Sequence, residues 1–264
     1  MQLITIDKDK CKKDGICIAE CPFNILKENA GGVPEMIPGG DATCMRCGHC
    51  LAVCPSGALT LEGAAPAACE PVKKEWSMDA GAMEQLLKTR RSVRVYRDKP
   101  VSHEIAGRLM DMLRWAPTAK NLQPVHWTLV DDRTKIRTMA GMTIDWLRDS
   151  NMFPEMVSAW ENDGEDMVLR GAPLLAIAHA HKDALNPQAD CTIAMTTLEL
   201  AASAMGIGGC WAGFFMGAAQ QYGPLEAYLD LPEGHHVYAA LMLGYPKFSY
   251  QRIPAREGEK VRWL

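Results

Sequence analysis

The chain has 264 residues and a mass of 29.0 kDa, with 48% hydrophobic and 23% charged residues and a formal net charge of -4. That length holds one large domain, or a domain of about 200 residues beside a small module. The mild acidity argues against a basic nucleic-acid binder. No stretch approaches the roughly 20 uninterrupted apolar residues of a membrane span, and the start has neither the charged n-region nor the apolar h-region of an export signal. We therefore expect a cytoplasmic protein without nucleic-acid or membrane partners. Sulfur departs from the average: seven of the ten Cys lie within the first 65 residues. In a chain without an export signal such clustering points to metal ligation rather than disulfides.

Shifted on itself by 33 residues, the sequence superposes Cys11, Gly15, Cys17, Cys21 and Pro22 on Cys44, Gly48, Cys50, Cys54 and Pro55. Neither copy is long enough to bury a core, so something inorganic must hold the pair together. The second copy, Cys44-Met-Arg-Cys47-Gly-His-Cys50-Leu-Ala-Val-Cys54-Pro55, has the C-x2-C-x2-C-x3-C-P spacing of bacterial iron-sulfur proteins. Two-residue gaps wrap three thiolates around one cubane, and the longer gap with proline turns the fourth thiolate toward the neighbouring cluster. We expect Cys44, Cys47, Cys50 and Cys21 to hold one 4Fe-4S cluster, and Cys11, Cys17 and Cys54 to hold the other. Asp14 stands where the repeat calls for a thiol. Either its carboxylate binds the fourth iron of a 4Fe-4S cube, or that corner is empty and the cluster is 3Fe-4S, with Asp14-Gly15 only a turn. Zinc sites draw on two C-x-x-C pairs separated by a longer loop, so the compressed repeat favours iron-sulfur. The first quarter of the chain resembles a two-cluster bacterial ferredoxin.

The organisation predicted is a cluster module over 1–65, a linker over 66–78 and a second domain over 79–264. The linker is rich in Ala, Pro, Glu and Lys and lacks apolar periodicity. Beyond it, helical spacing predicts helices over Asp79 to Arg90, His103 to Trp115 and Arg133 to Leu147, the second stopped by Pro117. Strands are predicted over Val125 to Val130, Pro173 to Ala180, Trp211 to Phe215 and Val237 to Leu243, with a short last one over Lys260 to Leu264. Ala189 to Met205 is apolar nearly all round, which marks an interior or subunit-interface helix. The fold class expected is α+β, with helices covering a central sheet.

Lys88-Thr-Arg90-Arg91-Ser92-Val-Arg94-Val-Tyr-Arg97 concentrates guanidinium groups and a hydroxyl, the chemistry of phosphate contacts. Ala116-Pro-Thr118-Ala-Lys120-Asn121-Leu-Gln123-Pro124 is a polar loop with two amides and a hydroxyl able to address a ring edge. With Gly171-Ala172-Pro173, Asp190, the Gly206-to-Trp211 run and Leu243-Gly244-Tyr245-Pro246, these segments resemble the nitroreductase family of flavoproteins from about Met83 onward. The resemblance implies a three-layer α/β FMN domain that forms a homodimer with two flavin sites at the subunit interface. It implies that Arg90, Arg91, Ser92 and Arg94 bind the FMN phosphate and ribityl chain, joined by Arg256 and Arg252. Thr118, Asn121 and Gln123 would contact the isoalloxazine or ribityl groups, and Gly208 and Gly209 would offer backbone amides to the ring. The tail from Glu257 to Leu264 resembles the family's arm around the partner subunit.

Gly206-Ile-Gly208-Gly209 follows a helix and precedes a strand, the reverse of a Rossmann loop, and no G-x-S-x-G nucleophile elbow is present. No catalytic side chain is expected; the chemistry would take place at flavin N5. Clusters carry one electron at a time and a flavin two, so the fusion implies a relay. In it, an external low-potential donor such as a ferredoxin feeds the module, and the flavin reduces a small electron-poor substrate of nitro, quinone or activated-alkene type. The competing reading is an electron-transfer or sensing protein whose acceptor is another protein.

Overall fold

The computed structural model describes residues 2–264, which divide into two compact units. One comprises the chain up to Ser77 with Lys120–Leu122; the other comprises Met78–Ala119 and Gln123–Leu264.

The first unit is built of short elements: β1 (Ile4–Ile6), α1 (Ile16–Ala19), β2 (Leu26–Glu28), β3 (Pro34–Met36), α2 (Gly40–Thr43), α3 (His49–Val53) and β4 (Leu59–Leu61). β1 pairs antiparallel with β4, and β2 with β3. Its core cluster is small, and two of its seven buried residues, Cys17 and Cys50, are cysteines among Ile4, Ile25, Leu26, Leu59 and Leu61. A core of this size needs a staple to be stable.

The second unit opens with α4 (Ala80–Thr89), capped by Asp79, and α5 (His103–Leu113), capped by Ser102. Then follow β5 (His126–Val130), α6 (Arg133–Asp149), α7 (Pro154–Asp163), β6 (Leu174–His181), α8 (Pro187–Ala204), β7 (Gly208–Trp211), α9 (Gly213–Gln221), α10 (Gly223–Leu229) and β8 (His235–Gly244). The four strands form one antiparallel sheet in the order β5-β6-β8-β7. β6 is buried along nearly its whole length, as the apolar run Leu174–Ala178 that opens it requires. One apolar layer is centred on α6 and α9 with Phe215, Ile144 and Leu169; the other is centred on α5 and α8 with Leu109, Met195 and Leu198. The unit is a helix-and-sheet fold of the α+β type, with apolar side chains packed on both faces of the sheet.

Two predicted strands are corrected. The segment Trp211 to Phe215 is split: the strand is Gly208–Trp211, paired with β8 through Gly208 and Gly244, and Gly213–Gln221 is helical. Phe215, Ala218 and Ala219 recur at helical spacing on the buried face of α9, and that period outweighs the local β preference of Trp and Phe. Residues 260–264 form no strand; they are extended and exposed, because no neighbouring strand offers them a partner. Helices α7 and α10, which periodicity alone did not predict, each begin with Pro in the first turn. Among the described residues no helix is long and apolar enough to cross a membrane.

The sheet also gathers histidines that lie far apart in sequence. His126 on β5 pairs across to His179 on β6, and His179 Nδ1 lies 2.9 Å from His235 Nδ1 at the start of β8.

Candidate functional site

In the first unit both copies of the repeat follow one backbone path. Lys13 (φ 57°) and Gly15 (φ 70°) bracket Asp14, just as Arg46 (φ 51°) and Gly48 (φ 76°) bracket Cys47. Each left-handed glycine opens a short helix, α1 after Gly15 and α3 after Gly48. Asp14 therefore occupies the backbone place of Cys47, which is more than a match in alignment. Its Oδ1 also accepts the Ile16 N–H at 3.2 Å, so the turn expected at Asp14-Gly15 is present.

The thiols sort into two sets. Burial, followed by the charges of Cys54, Asp14 and Cys11, pushes the Cys17 thiol up. Burial pushes Cys50 up to about 11, with Cys47, Cys21 and Cys44 adding to it. The fold thus sets Cys54 beside Cys17, Asp14 and Cys11, and Cys21 beside Cys50, Cys47 and Cys44. Four acidic ligands crowded on one centre raise one another's proton affinity, and a cationic iron core relieves that repulsion by taking the protons' place. Cys21, Cys44, Cys47 and Cys50 line a cavity whose other walls include Ile4, Phe23, Ile25, Leu26 and Leu61. Among the described residues no three His, Cys, Asp or Glu side chains converge tightly enough to hold a single metal ion. Cys21, Cys44, Cys47 and Cys50 instead line a common cavity, and a donor set of sulfur with one carboxylate fits iron-sulfur cores. Cys54 differs from its repeat partner. Burial would raise its thiol, but the N–H of Ala58 and the hydroxyl and N–H of Ser56 outweigh burial and hold it below the ordinary value.

In the second unit the arginine segment leaves α4 and is stitched to the sheet edge. Ser92 bridges Gly209 of β7, and the Val93 N–H donates to the Gly209 carbonyl at 2.9 Å. A pocket of about 310 Å³ opens beside it, lined by Arg90, Arg91, Arg97, Gly208, Gly209 and Tyr250, among others. Arg90 Nη1 donates to Glu199 Oε1 at 2.8 Å, and the Trp211 indole donates to Glu199 Oε2 at 3.3 Å. Glu199 is 6% exposed, so its charge is compensated by these two donors rather than by water. Arg97 is fixed by its Nε donating to the Pro246 carbonyl at 2.9 Å. Sequence reasoning included Arg97 in the guanidinium segment but not among the FMN contacts, and it missed Glu199. The available signal for Glu199 was an acid in the interior of an otherwise apolar helix.

The Ala116–Pro124 loop is conformationally unusual: Lys120, Asn121 and Gln123 all have positive φ, at 49°, 54° and 51°. Such non-glycine conformations persist only where the surroundings impose them. Thr118 Oγ1 accepts the Gln123 N–H at 3.0 Å, and Asp190 Oδ1, on α8, accepts the Ala119 N–H at 2.9 Å. Thr118 and Gln123 line a second pocket of about 220 Å³ with Arg114, Trp127 and Ala194. Asn121 groups with the first unit, where its amide donates to the carbonyls of Met45 and Arg46 at 3.4 and 3.1 Å. Of the residues expected at the phosphate, Arg90 and Arg91 share the arginine pocket. Ser92 stands next to them in the chain, and Arg94 is exposed, its Nη1 donating to the Ser92 carbonyl at 3.3 Å. Arg252 and Arg256 lie in the exposed stretch after β8 and line neither pocket.

Comparison with known proteins bears on both units. Residues 87–245 match the profile of the nitroreductase family, and residues 3–55 match that of a 4Fe-4S dicluster domain. A protein of Archaeoglobus fulgidus named as an NADH dehydrogenase/NAD(P)H nitroreductase is 32% identical over 168 residues, 62% of this chain and 87% of that one. Among solved structures, a nitroreductase with bound FMN from Desulfitobacterium hafniense covers 69% of this chain and 97% of its own, with a TM-score of 0.57 at 18% identity. An FMN-dependent nitroreductase of Mycobacterium smegmatis in complex with NADPH covers 70% and 99%, with a TM-score of 0.54 at 23% identity. The chain belongs to the nitroreductase family of oxidoreductases and carries a 4Fe-4S dicluster ferredoxin domain ahead of it.

Proposed function

We propose that the chain is an FMN-dependent oxidoreductase that takes electrons from an external low-potential donor of ferredoxin type through two clusters to the flavin, and there reduces a small electron-poor substrate. The observation that supports this reading is that Cys17 lies near Cys54, Asp14 and Cys11, and Cys50 near Cys47, Cys21 and Cys44, on the same chain as a pocket lined by three arginines. Bound, the clusters supply one-electron transfer, and FMN supplies hydride or single-electron delivery at N5. The protein's own part is to grip and position. Arg90, Arg91 and Arg97 offer guanidinium forks to a phosphate, and Ser92 adds a hydroxyl beside them. Thr118 and Gln123 form a polar edge for the ring, and Gly208 and Gly209 keep side chains out of the way of their own amides. Cys11, Cys17, Cys54 and Asp14 hold one cluster and Cys21, Cys44, Cys47 and Cys50 the other.

The arginine pocket and the Thr118–Gln123 pocket share no residue. That separation supports a homodimer in which the loop of one copy completes the pocket of its partner, with Arg252 and Arg256 joining from the C-terminal stretch.

The test is anaerobic stopped-flow of the holoprotein with reduced ferredoxin, comparing wild type with Cys50→Ser. Flavin reduction by ferredoxin is expected to fall at least tenfold in the variant, with iron content reduced by one cluster. Unchanged flavin reduction in Cys50→Ser, together with rapid bleaching by NADPH alone, would overturn the relay. Electron paramagnetic resonance tests the carboxylate ligand: Asp14→Cys is expected to change the signal of one cluster, and spectra identical to wild type remove Asp14 from the ligand set.

A further inference from the structure

Two of the differences between the copies of the cysteine repeat bear on the ligands themselves. Position 14 carries Asp where the second copy has Cys47, and position 56 carries Ser where the first copy has Phe23. Because the copies exchange their last ligands, both departures fall on the same cluster. The all-cysteine set, Cys21, Cys44, Cys47 and Cys50, shares its cavity with Phe23 and the aliphatic side chains of Ile25 and Leu26. At the other set, Ser56 Oγ lies 3.7 Å from Cys54 Sγ, and the Ala58 N–H donates to the same sulfur at 3.3 Å. The loop that carries these donors is anchored, since the Ala58 carbonyl accepts the Asp7 N–H at 2.8 Å and the chain runs directly into β4. A ligating thiolate has only lone pairs to offer, so the hydroxyl must be the donor. Phe23 has no donor to place at the equivalent position.

Resting on the two-cluster reading above, we propose that Ser56 is a positioning residue. Its O–H···S bond to Cys54 raises the reduction potential of the cluster held by Cys11, Cys17, Cys54 and Asp14, and so makes the two halves of the repeat electrochemically unequal. Reduction adds one electron from the external donor to a core already bearing thiolate charge, and a hydrogen bond to a ligand sulfur stabilises the more negative state. No bond is made or broken; the hydroxyl keeps its proton. One polar, hydrogen-bonded cluster and one apolar cluster form a potential step between donor and acceptor, which two identical clusters would lack.

The test is a dithionite titration of the full-length holoprotein, monitored by electron paramagnetic resonance, in wild type, Ser56→Ala and Ser56→Thr. In Ser56→Ala one of the two potentials is expected to move down, by up to about tenfold in the reduced-to-oxidised ratio or ~59 mV for a one-electron couple, while the other stays put. Ser56→Thr, which keeps the hydroxyl, should restore it. No shift in Ser56→Ala, an equal shift of both potentials, or no recovery in Ser56→Thr overturns the proposal. So does loss of the cluster from Ser56→Ala, which would make Ser56 an assembly residue. A wild-type protein with fewer than two clusters by iron and sulfide analysis would instead sink the two-cluster reading itself, so the two failures are told apart.

Discussion

Gly208→Ala is expected to destabilise the nitroreductase unit by about 1–3 kcal/mol and to weaken FMN binding with it. A Cβ at Gly208 would meet Val93 Cγ2 at 2.5 Å and Val93 Cβ at 2.6 Å, distances that packed carbons do not adopt. Val93 cannot step aside easily. It is β-branched and 5% exposed, and its backbone is tied by its own N–H to the Gly209 carbonyl. An added methyl must therefore push the Arg90–Arg94 segment off the edge of β7, moving the guanidinium groups together with the strand contact that aims them. Gly209→Ala meets Leu241 Cδ2 at 3.2 Å, the end of a flexible side chain, and should cost less. Gly213→Ala meets nothing within 4 Å in a helix and should be neutral or slightly stabilising. Thermal unfolding and flavin-fluorescence titration of the three variants check the order. Equal stability and FMN affinity in Gly208→Ala and Gly213→Ala would show that the glycine contact does not hold the arginine segment.

The iron-sulfur half was legible because its chemistry is local. Ligand spacing over a few residues dictates which thiolates wrap one core, and the 33-residue shift predicts their exchange. The second half was legible in outline for the same reason: α4, α5 and α6 declare themselves by apolar period, α8 by being apolar nearly all round, and the arginine segment by charge. What escaped depends on contacts distant in sequence. Glu199 meets Arg90 across 109 positions, and Arg97 meets Pro246 across 149. Gly208 and Gly209 read as a run between a helix and a strand, and only the sheet shows that their bareness admits Val93 and Leu241. The same non-local pairing defeated the strand predicted over Trp211 to Phe215. A strand needs a neighbour, and β8 offers its edge to Gly208–Trp211 rather than to the aromatic pair beyond. Nothing local in the sequence joins the histidines; only the register of β5, β6 and β8 makes them neighbours.

That histidine cluster carries the second large prediction. His179 is 3% exposed on β6. Its ring is faced from β5 by His126 and by Thr128, whose Oγ1 lies 3.2 Å from Nε2, and from β8 by His235 through the 2.9 Å nitrogen pair. His181, two residues along its own strand, approaches His235 with ring centroids 6.0 Å apart and keeps Asp183 at 3.7 Å on its own Nδ1. Burial first, and then His235 and His126, hold the His179 imidazole down at about 4. The folded protein therefore keeps His179 neutral through a range in which the unfolded chain, with an ordinary value near 6.5, takes up a proton. Stability that is complete above about pH 6.5 must fall as the pH drops and stop falling below about pH 4, a total loss of about 3 kcal/mol from this one side chain. Roughly 1.4 kcal/mol of that is already gone at pH 5.5. Urea unfolding of the full chain between pH 7.5 and 5.5 should show a shallower pH slope for His179→Asn than for wild type, even if the variant is less stable throughout. Parallel slopes would mean that His179 takes up its proton over the same pH range in the folded as in the unfolded chain, and that burial among His126 and His235 does not hold it neutral.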